Sequence, residues 1–115
     1  MAQSSGPRPD FVIGDRFGVA CDPKLTRTLK EALTGSGYDV HLNRPYAGGY
    51  ITEHYGRPLE GVHAVQIEIN RALYLNETRF TPGRGFARLK ADLTRIAGTL
   101  FSTLPVFLEQ RAAAE

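Results

Sequence analysis

The sequence predicts an α/β domain built on a partial mixed or parallel sheet with packed helices, and three stretches carry that prediction. Over residues 23–34, Leu25, Leu29, Ala32 and Leu33 recur at helical spacing, and directly afterwards Tyr38, Val40 and Leu42 alternate with Asp39, His41 and Asn43. A helix running into a strand across so short a gap is half of a β-α-β unit, whose strands run parallel beneath the helix. Over residues 86–104, Phe86, Leu89, Leu93, Ile96, Ala97, Leu100 and Leu104 keep to one stripe, with Arg88, Lys90, Asp92 and Arg95 largely opposite. That stripe predicts a long amphipathic helix lying on the sheet.

The remaining elements fall into order around these. Residues 1–9 are small, polar and proline-bearing, cannot bury enough surface to fix themselves, and read as a flexible N-terminal segment. Residues 10–115 form one α/β domain, because 115 residues bury about 65% of their unfolded surface and supply one core. Phe11, Val12 and Ile13 make a short buried strand, and Gly14, Asp15, Arg16 and Gly18 turn the chain at its carboxyl end, where open α/β sheets bind ligands. Asp22 caps the first helix and Pro23 fits its first turn, while Gly35 and Gly37 stop it. Residues 43–58, NRPYAGGYITEHYGRP, are the longest irregular segment. Residues 71–75 read as a helical turn, residues 76–85 as a polar link with Pro82, Gly83 and Gly85, and Pro105 as the residue that ends or kinks the last helix, leaving a short turn or a frayed end.

Composition narrows the function classes. The apolar fraction is 42%, the charged fraction 23% and the net charge +2, carried mostly by arginines that are scattered rather than clustered. There is no basic run interleaved with aromatics, so a nucleic-acid partner is not expected. No apolar run approaches bilayer-spanning length and no signal peptide is visible, so no membrane partner is expected and the expected setting is cytoplasmic. Cys21 is the single cysteine, so neither a disulfide framework nor a C-x-x-C metal motif exists.

The stretch that bears most directly on chemistry is residues 62–75, VHAVQIEINRALYL. At period two, one face carries Val65, Ile67 and Ile69 and the other carries Gln66, Glu68 and Asn70, so a polar trio stands on a strand whose reverse side is apolar. The same alternation also marks a half-solvated strand whose glutamate only stays wet. Context favours a site, because the preceding loop offers three tyrosines, two arginines, a histidine and the Gly48-Gly49 pair. Arginine presents a planar fork to carboxylates and a glycine pair lets backbone approach a ligand closely. Glu68 is thus a candidate general acid or base. Burial between isoleucines would raise its pKa, whereas a nearby zinc or arginine would lower it. His41, His54 and His63 have no metal-ligand spacing among them, no G-x-S-x-G occurs, and Cys21 beside Asp22 reads as a helix entry rather than a thiolate pair.

PYAGGYITEHY from Pro45, with Gly56 after it, and HAVQIEINRALYL from His63 resemble the carboxyl-terminal half of the N-formylglutamate amidohydrolases, also called N-formylglutamate deformylases. DFVIGDRFG from Asp10, with Cys21, Asp22 and Pro23, resembles the family's segment just upstream, so the resemblance runs from Asp10 to about Leu93. It implies zinc-assisted hydrolysis of N-formyl-L-glutamate to formate and L-glutamate, a step of histidine degradation, on a zinc-carboxypeptidase-like (phosphorylase/hydrolase-like) fold with helices on both sheet faces. Glu68 matches the family's strand glutamate, the acid/base. Asn43, Arg44, Tyr46 and Tyr50 match the loop bordering the substrate pocket, and Arg71 completes the motif beside Glu68. Family members are expected to be roughly twice as long, with the residues that resemble zinc ligands in their amino-terminal half. The expectation is therefore that zinc belongs to the full-length family and that this chain binds no metal. Alone, the chain is expected to be incomplete and inactive, with the missing amino-terminal half or a second copy as possible partner. Leu75-Asn76-Glu77 stands where the family more often reads Met-Asp-Glu. The competing reading is a non-enzymatic module that binds a small dicarboxylate or a protein partner through residues 43–58.

Overall fold

The computed structural model describes residues 8–114 and the side chains of residues 8–102. The expectation for residues 1–9 lies, up to residue 7, outside the described residues. Three strands form a mixed sheet in the order β2-β1-β3, with β1 at Phe11–Gly14, β2 at Val40–Leu42 and β3 at Gln66–Ile69. Strand β1 pairs parallel with β2 and antiparallel with β3. The crossover between β1 and β2 is the helix α1, Pro23–Gly35, as the spacing predicts.

The strand at the centre is β1. Phe11 and Ile13 are fully buried and Val12 and Gly14 are buried with them. A run that is apolar without alternation is what a strand covered on both faces needs, whereas alternation marks one wet face. Strand β3 is correspondingly an edge strand among the described residues, and it is shorter than the 65–70 stretch of alternation. Its apolar side faces the core as expected, but Val65 and Ile67 remain 36% and 37% exposed, and only Ile69 packs on the core cluster.

The core lies on one face of the sheet. Phe11, Ile13 and Val40 meet Leu29 and Leu33 of α1 and Leu89 and Ile96 of α3, which runs Phe86–Ala114. Both helices that contribute to this cluster, α1 and α3, cover the same sheet face. Helix α1 is capped as the sequence demands: the Asp22 carboxylate accepts from the Lys24 amide at 2.9 Å, and Pro23 opens the first turn. Helix α3 is fastened to the end of α1 by Arg88, which donates to the Ser36 carbonyl at 2.9 Å, and Arg95, which donates to the Ser36 hydroxyl at 2.8 Å. Tyr38 adds a 2.6 Å bond to Asp92 beneath the Arg88 guanidinium.

Three expectations change. The segment 43–58 is not wholly irregular, because Tyr50–Tyr55 forms the short helix α2. The link 76–85 contains a small hairpin, with β4 at Leu75–Asn76 pairing β5 at Thr81–Pro82, and Arg71–Leu73 is a single 3₁₀ turn. Pro105 does not end α3. The helix runs on to Ala114, so of the two expectations at that proline, an end or a kink, the end does not occur. Among the described residues no helix is long and apolar enough to cross a membrane.

Candidate active site

The loop that follows β2 is held against the carboxyl end of β1 in part by a polar side chain and in part by a missing one. The side chain is Asn43. Its Oδ1 accepts from the amides of Asp15 at 3.0 Å and Phe17 at 3.3 Å, and its Nδ2 donates to Asp15 Oδ1 at 2.9 Å. The missing one is at Gly14, where a Cβ would stand 2.6 Å from the Ala47 carbonyl carbon and 2.7 Å from the Gly48 nitrogen. The backbone of residues 47 and 48 therefore rests directly on the strand end, and the Arg16 amide donates to the Ala47 carbonyl at 2.8 Å.

Asp15 is the anchor beneath this turn. It is 4% exposed, and its carboxylate accepts from the Gly18 amide at 3.0 Å, Asn43 Nδ2, and the Thr26 hydroxyl at 2.8 Å. Those bonds hold a turn in which Arg16 and Phe17 both adopt positive φ, 55° and 57°, as does Asn43 at 60°. L residues avoid that region at a cost of about 1 kcal/mol each, so the surrounding hydrogen bonds over-determine it. Sequence reasoning placed Asp15 in a turn without a role. Asn43, expected on the substrate wall, is engaged in clamping that turn.

Glu68 lies on the sheet face opposite the core, where directly paired residues share a face: it sits across from Val12, which sits across from His41. It is exposed, so it is not buried between Ile67 and Ile69. Its carboxylate is held by one side chain, Gln66, whose Nε2 donates to Glu68 Oε1. The other end of the same amide, Oε1, accepts from the Gly49 amide at 2.8 Å. Gln66 thus ties the strand to the glycine pair of the loop. The sequence put it in the polar trio, and its two-residue offset from Glu68 was the signal that both face the same side.

The other site residues are spread along the loop and beyond. Arg44 and Tyr46 are exposed on the loop, and Tyr50 stacks on His54 at 4.2 Å along α2. Arg71 lies in the 3₁₀ turn after β3 and pairs with Glu77 at 3.5 Å. Helix α2 itself is seated by Thr52, which is buried and donates to the Gly49 carbonyl at 2.8 Å. Among the histidines, His63 Nδ1 accepts from the Asp22 amide at 3.1 Å. Cys21 is buried, and that burial is the main cause pushing its thiol pKa above the ordinary 9.0, the reverse of what a nucleophilic thiolate needs. Among the described residues no three His, Cys, Asp or Glu side chains come together as a metal ion requires. The residues present do not by themselves fit a zinc ion.

The family model for N-formylglutamate amidohydrolase matches residues 1–75, which include β1, β2, β3 and the whole loop. The chain belongs to the N-formylglutamate amidohydrolase family. It is 42% identical over 73 residues to the N-formylglutamate deformylase of Pseudomonas aeruginosa and 42% identical over 74 residues to that of Pseudomonas putida. These matches cover 63% and 64% of the chain but only 27% and 28% of the relatives, so the chain spans about a quarter of the length of the curated relatives it matches. A solved structure, the N-formylglutamate amidohydrolase from Ralstonia eutropha JMP134, superposes with a TM-score of 0.77 at 42% identity, covering 82% of this chain and 34% of that one. The mixed α/β sheet with its packed helices is therefore the family's own local fold. The sequence resemblance reached to about Leu93, whereas the family model ends at residue 75, before α3.

Proposed function

We propose that this chain supplies the acid/base glutamate and one wall of the substrate pocket of an N-formylglutamate amidohydrolase. The overall reaction is N-formyl-L-glutamate plus water giving formate and L-glutamate. Water adds to the formyl carbon, the C–N bond breaks, and one proton passes from the water to the departing amine. Glu68 takes that proton and returns it. The observation that carries the reading is exposed Glu68 standing on the sheet face opposite the core, oriented by Gln66, with the loop backbone pinned to the strand end. Arg44, Tyr46 and Tyr50 of the loop, with Arg71 from the turn after β3, are the donors offered to the substrate's carboxylates, and Asn43 contributes by holding the loop in register.

The donor set for zinc is absent from the described residues, and no step above is routed through a metal. In this reading the zinc of the full-length family is ligated by residues outside the chain, the sheet is a portion of a zinc-carboxypeptidase-like sheet, and the chain alone is inactive. The test is glutamate release from N-formyl-L-glutamate with added zinc, first by this chain alone and then with the remaining family segments supplied in trans. Robust turnover by these residues alone refutes the incompleteness. Where turnover is obtained, Glu68→Gln should lower it roughly 100- to 10,000-fold, with folding intact. Tight calorimetric binding of glutamate, with no turnover in any combination, points instead to the binding module.

A further inference from the structure

The amide of Gln66 can be placed in only one orientation. Gly49 N–H is an obligatory donor and Glu68 Oε1 is an acceptor, so the Gln66 oxygen must face Gly49 and its nitrogen must face Glu68. The flipped amide would set two donors against each other at one end and two acceptors at the other. Gly49 is itself fixed, because its carbonyl accepts from Thr52 Oγ1 at 2.8 Å and from the Glu53 amide at 3.0 Å. A chain of oriented groups thus runs from the start of α2, through one side-chain amide, to one oxygen of the Glu68 carboxylate. Among the described residues, Glu68 Oε2 takes no hydrogen bond.

We propose that Gln66 is the positioning residue of the acid/base step, holding Glu68 Oε1 so that Oε2 is the oxygen that takes the proton and returns it. This rests on the reading of Glu68 as the acid/base. A carboxylate on an exposed strand rotates freely about its last bond, and each wrong rotamer removes the proton acceptor from the reacting atoms. Occupying one oxygen with a donor restricts that rotation and leaves Oε2 without a protein hydrogen bond among the described residues. The same amide sets the distance between Glu68 and the wall that carries Tyr46 and Tyr50, because Gly49 lies between those residues in the chain.

Two measurements test the proposal. In this chain alone, hydrogen exchange at the Gly49 amide should be at least roughly tenfold faster in Gln66→Met than in wild type, since methionine keeps the length and loses both bonds. Equal rates overturn the geometry. In the turnover-competent combination, Gln66→Met should lower kcat roughly 10- to 100-fold with KM changed less than about twofold. Added to Glu68→Gln, it should lower kcat no further, because positioning has no value once the carboxylate is gone. A Gln66→Met kcat within about twofold of wild type, or a further loss in the double variant, overturns the positioning role even where Glu68→Gln abolishes turnover. If Glu68→Gln itself retains turnover, the underlying reading of Glu68 fails, and the proposal with it.

Discussion

The contact between β1 and the loop can be broken by adding a single methyl group. In Gly14→Ala the new Cβ would meet the Ala47 carbonyl carbon at 2.6 Å, the Gly48 nitrogen at 2.7 Å and the Ala47 oxygen at 2.8 Å, all of them backbone atoms with no rotamer to yield. Ordinary contact begins at 3.4 Å, so the loop must retreat by about 0.8 Å. A retreat of that size lengthens the 2.8 Å bonds from Arg16 to Ala47 and from Gly49 to Gln66 to about 3.6 Å, past hydrogen-bonding range. Two lost bonds at about 1 kcal/mol each, with overpacking of about 1 kcal/mol or more, give a destabilisation of about 3 kcal/mol. Urea unfolding measures it, and exchange at the Gly49 amide reports whether the loop has left Gln66. The control is Gly98→Ala in α3, where nothing lies within 4 Å and the change should stabilise by about 0.5–1 kcal/mol. A Gly14→Ala protein within about 0.5 kcal/mol of wild type, or one that is destabilised while Gly49 stays protected, refutes the reasoning.

Three further outcomes are expected. Asp15→Ala leaves the Asn43 amide, the Thr26 hydroxyl and the Gly18 N–H without their acceptor and should cost about 3 kcal/mol in urea unfolding; a cost below about 1 kcal/mol would mean the turn stands without its anchor. The Tyr38 hydroxyl bond, followed by Arg95 and Arg88, holds Asp92 below the ordinary 3.8, while burial first and Asp92 second raise Tyr38 above 10.0. The Asp92 contribution is therefore present above about pH 4 and lost as pH falls further, and the Tyr38 contribution is present below about pH 10 and lost as pH rises through it. The difference in urea midpoint between wild type and Tyr38→Phe should be largest near neutrality and shrink at both extremes; a difference independent of pH contradicts the assignment. Cys21 should react slowly with a thiol reagent at pH 8 in the folded chain and rapidly once urea unfolds it, and equal rates would show that the thiol is not buried.

What was legible in the sequence follows from which patterns are local. Helix α1 was readable because Asp22, Pro23 and the leucine spacing are all local signals, and the observed Pro23–Gly35 differs from the expected range by one residue. The polar face of β3 was readable for the same reason. The central position of β1 was less so, since a four-residue apolar run says that a strand is buried but not what lies on either side. The exposure of Ile67 depends on β3 being an edge, a property of strand order that alternation does not encode. Helix α2 was hidden by the loop composition around it, although Tyr50 and His54 are four apart and stack as helical neighbours do. The roles of Asp15 and Asn43 were hidden because they depend on two positive-φ turns meeting 28 residues apart.

The sheet divides stability from chemistry between its two faces, and that division makes the acid/base reading testable without unfolding the protein. Phe11, Ile13, Val40 and Ile69 face α1 and α3, so substitutions there remove core contacts. Gln66, Glu68 and His41 stand on the opposite face, where Val12 between them is the buried residue. Replacing an exposed glutamate by its amide on that face removes no core packing and should leave the unfolding midpoint within about 0.5 kcal/mol of wild type. A loss of turnover in Glu68→Gln then has no route through folding. If the variant instead unfolds by a comparable margin to Gly14→Ala, the carboxylate is part of what holds the loop to the strand, and its proposed chemistry loses its main support.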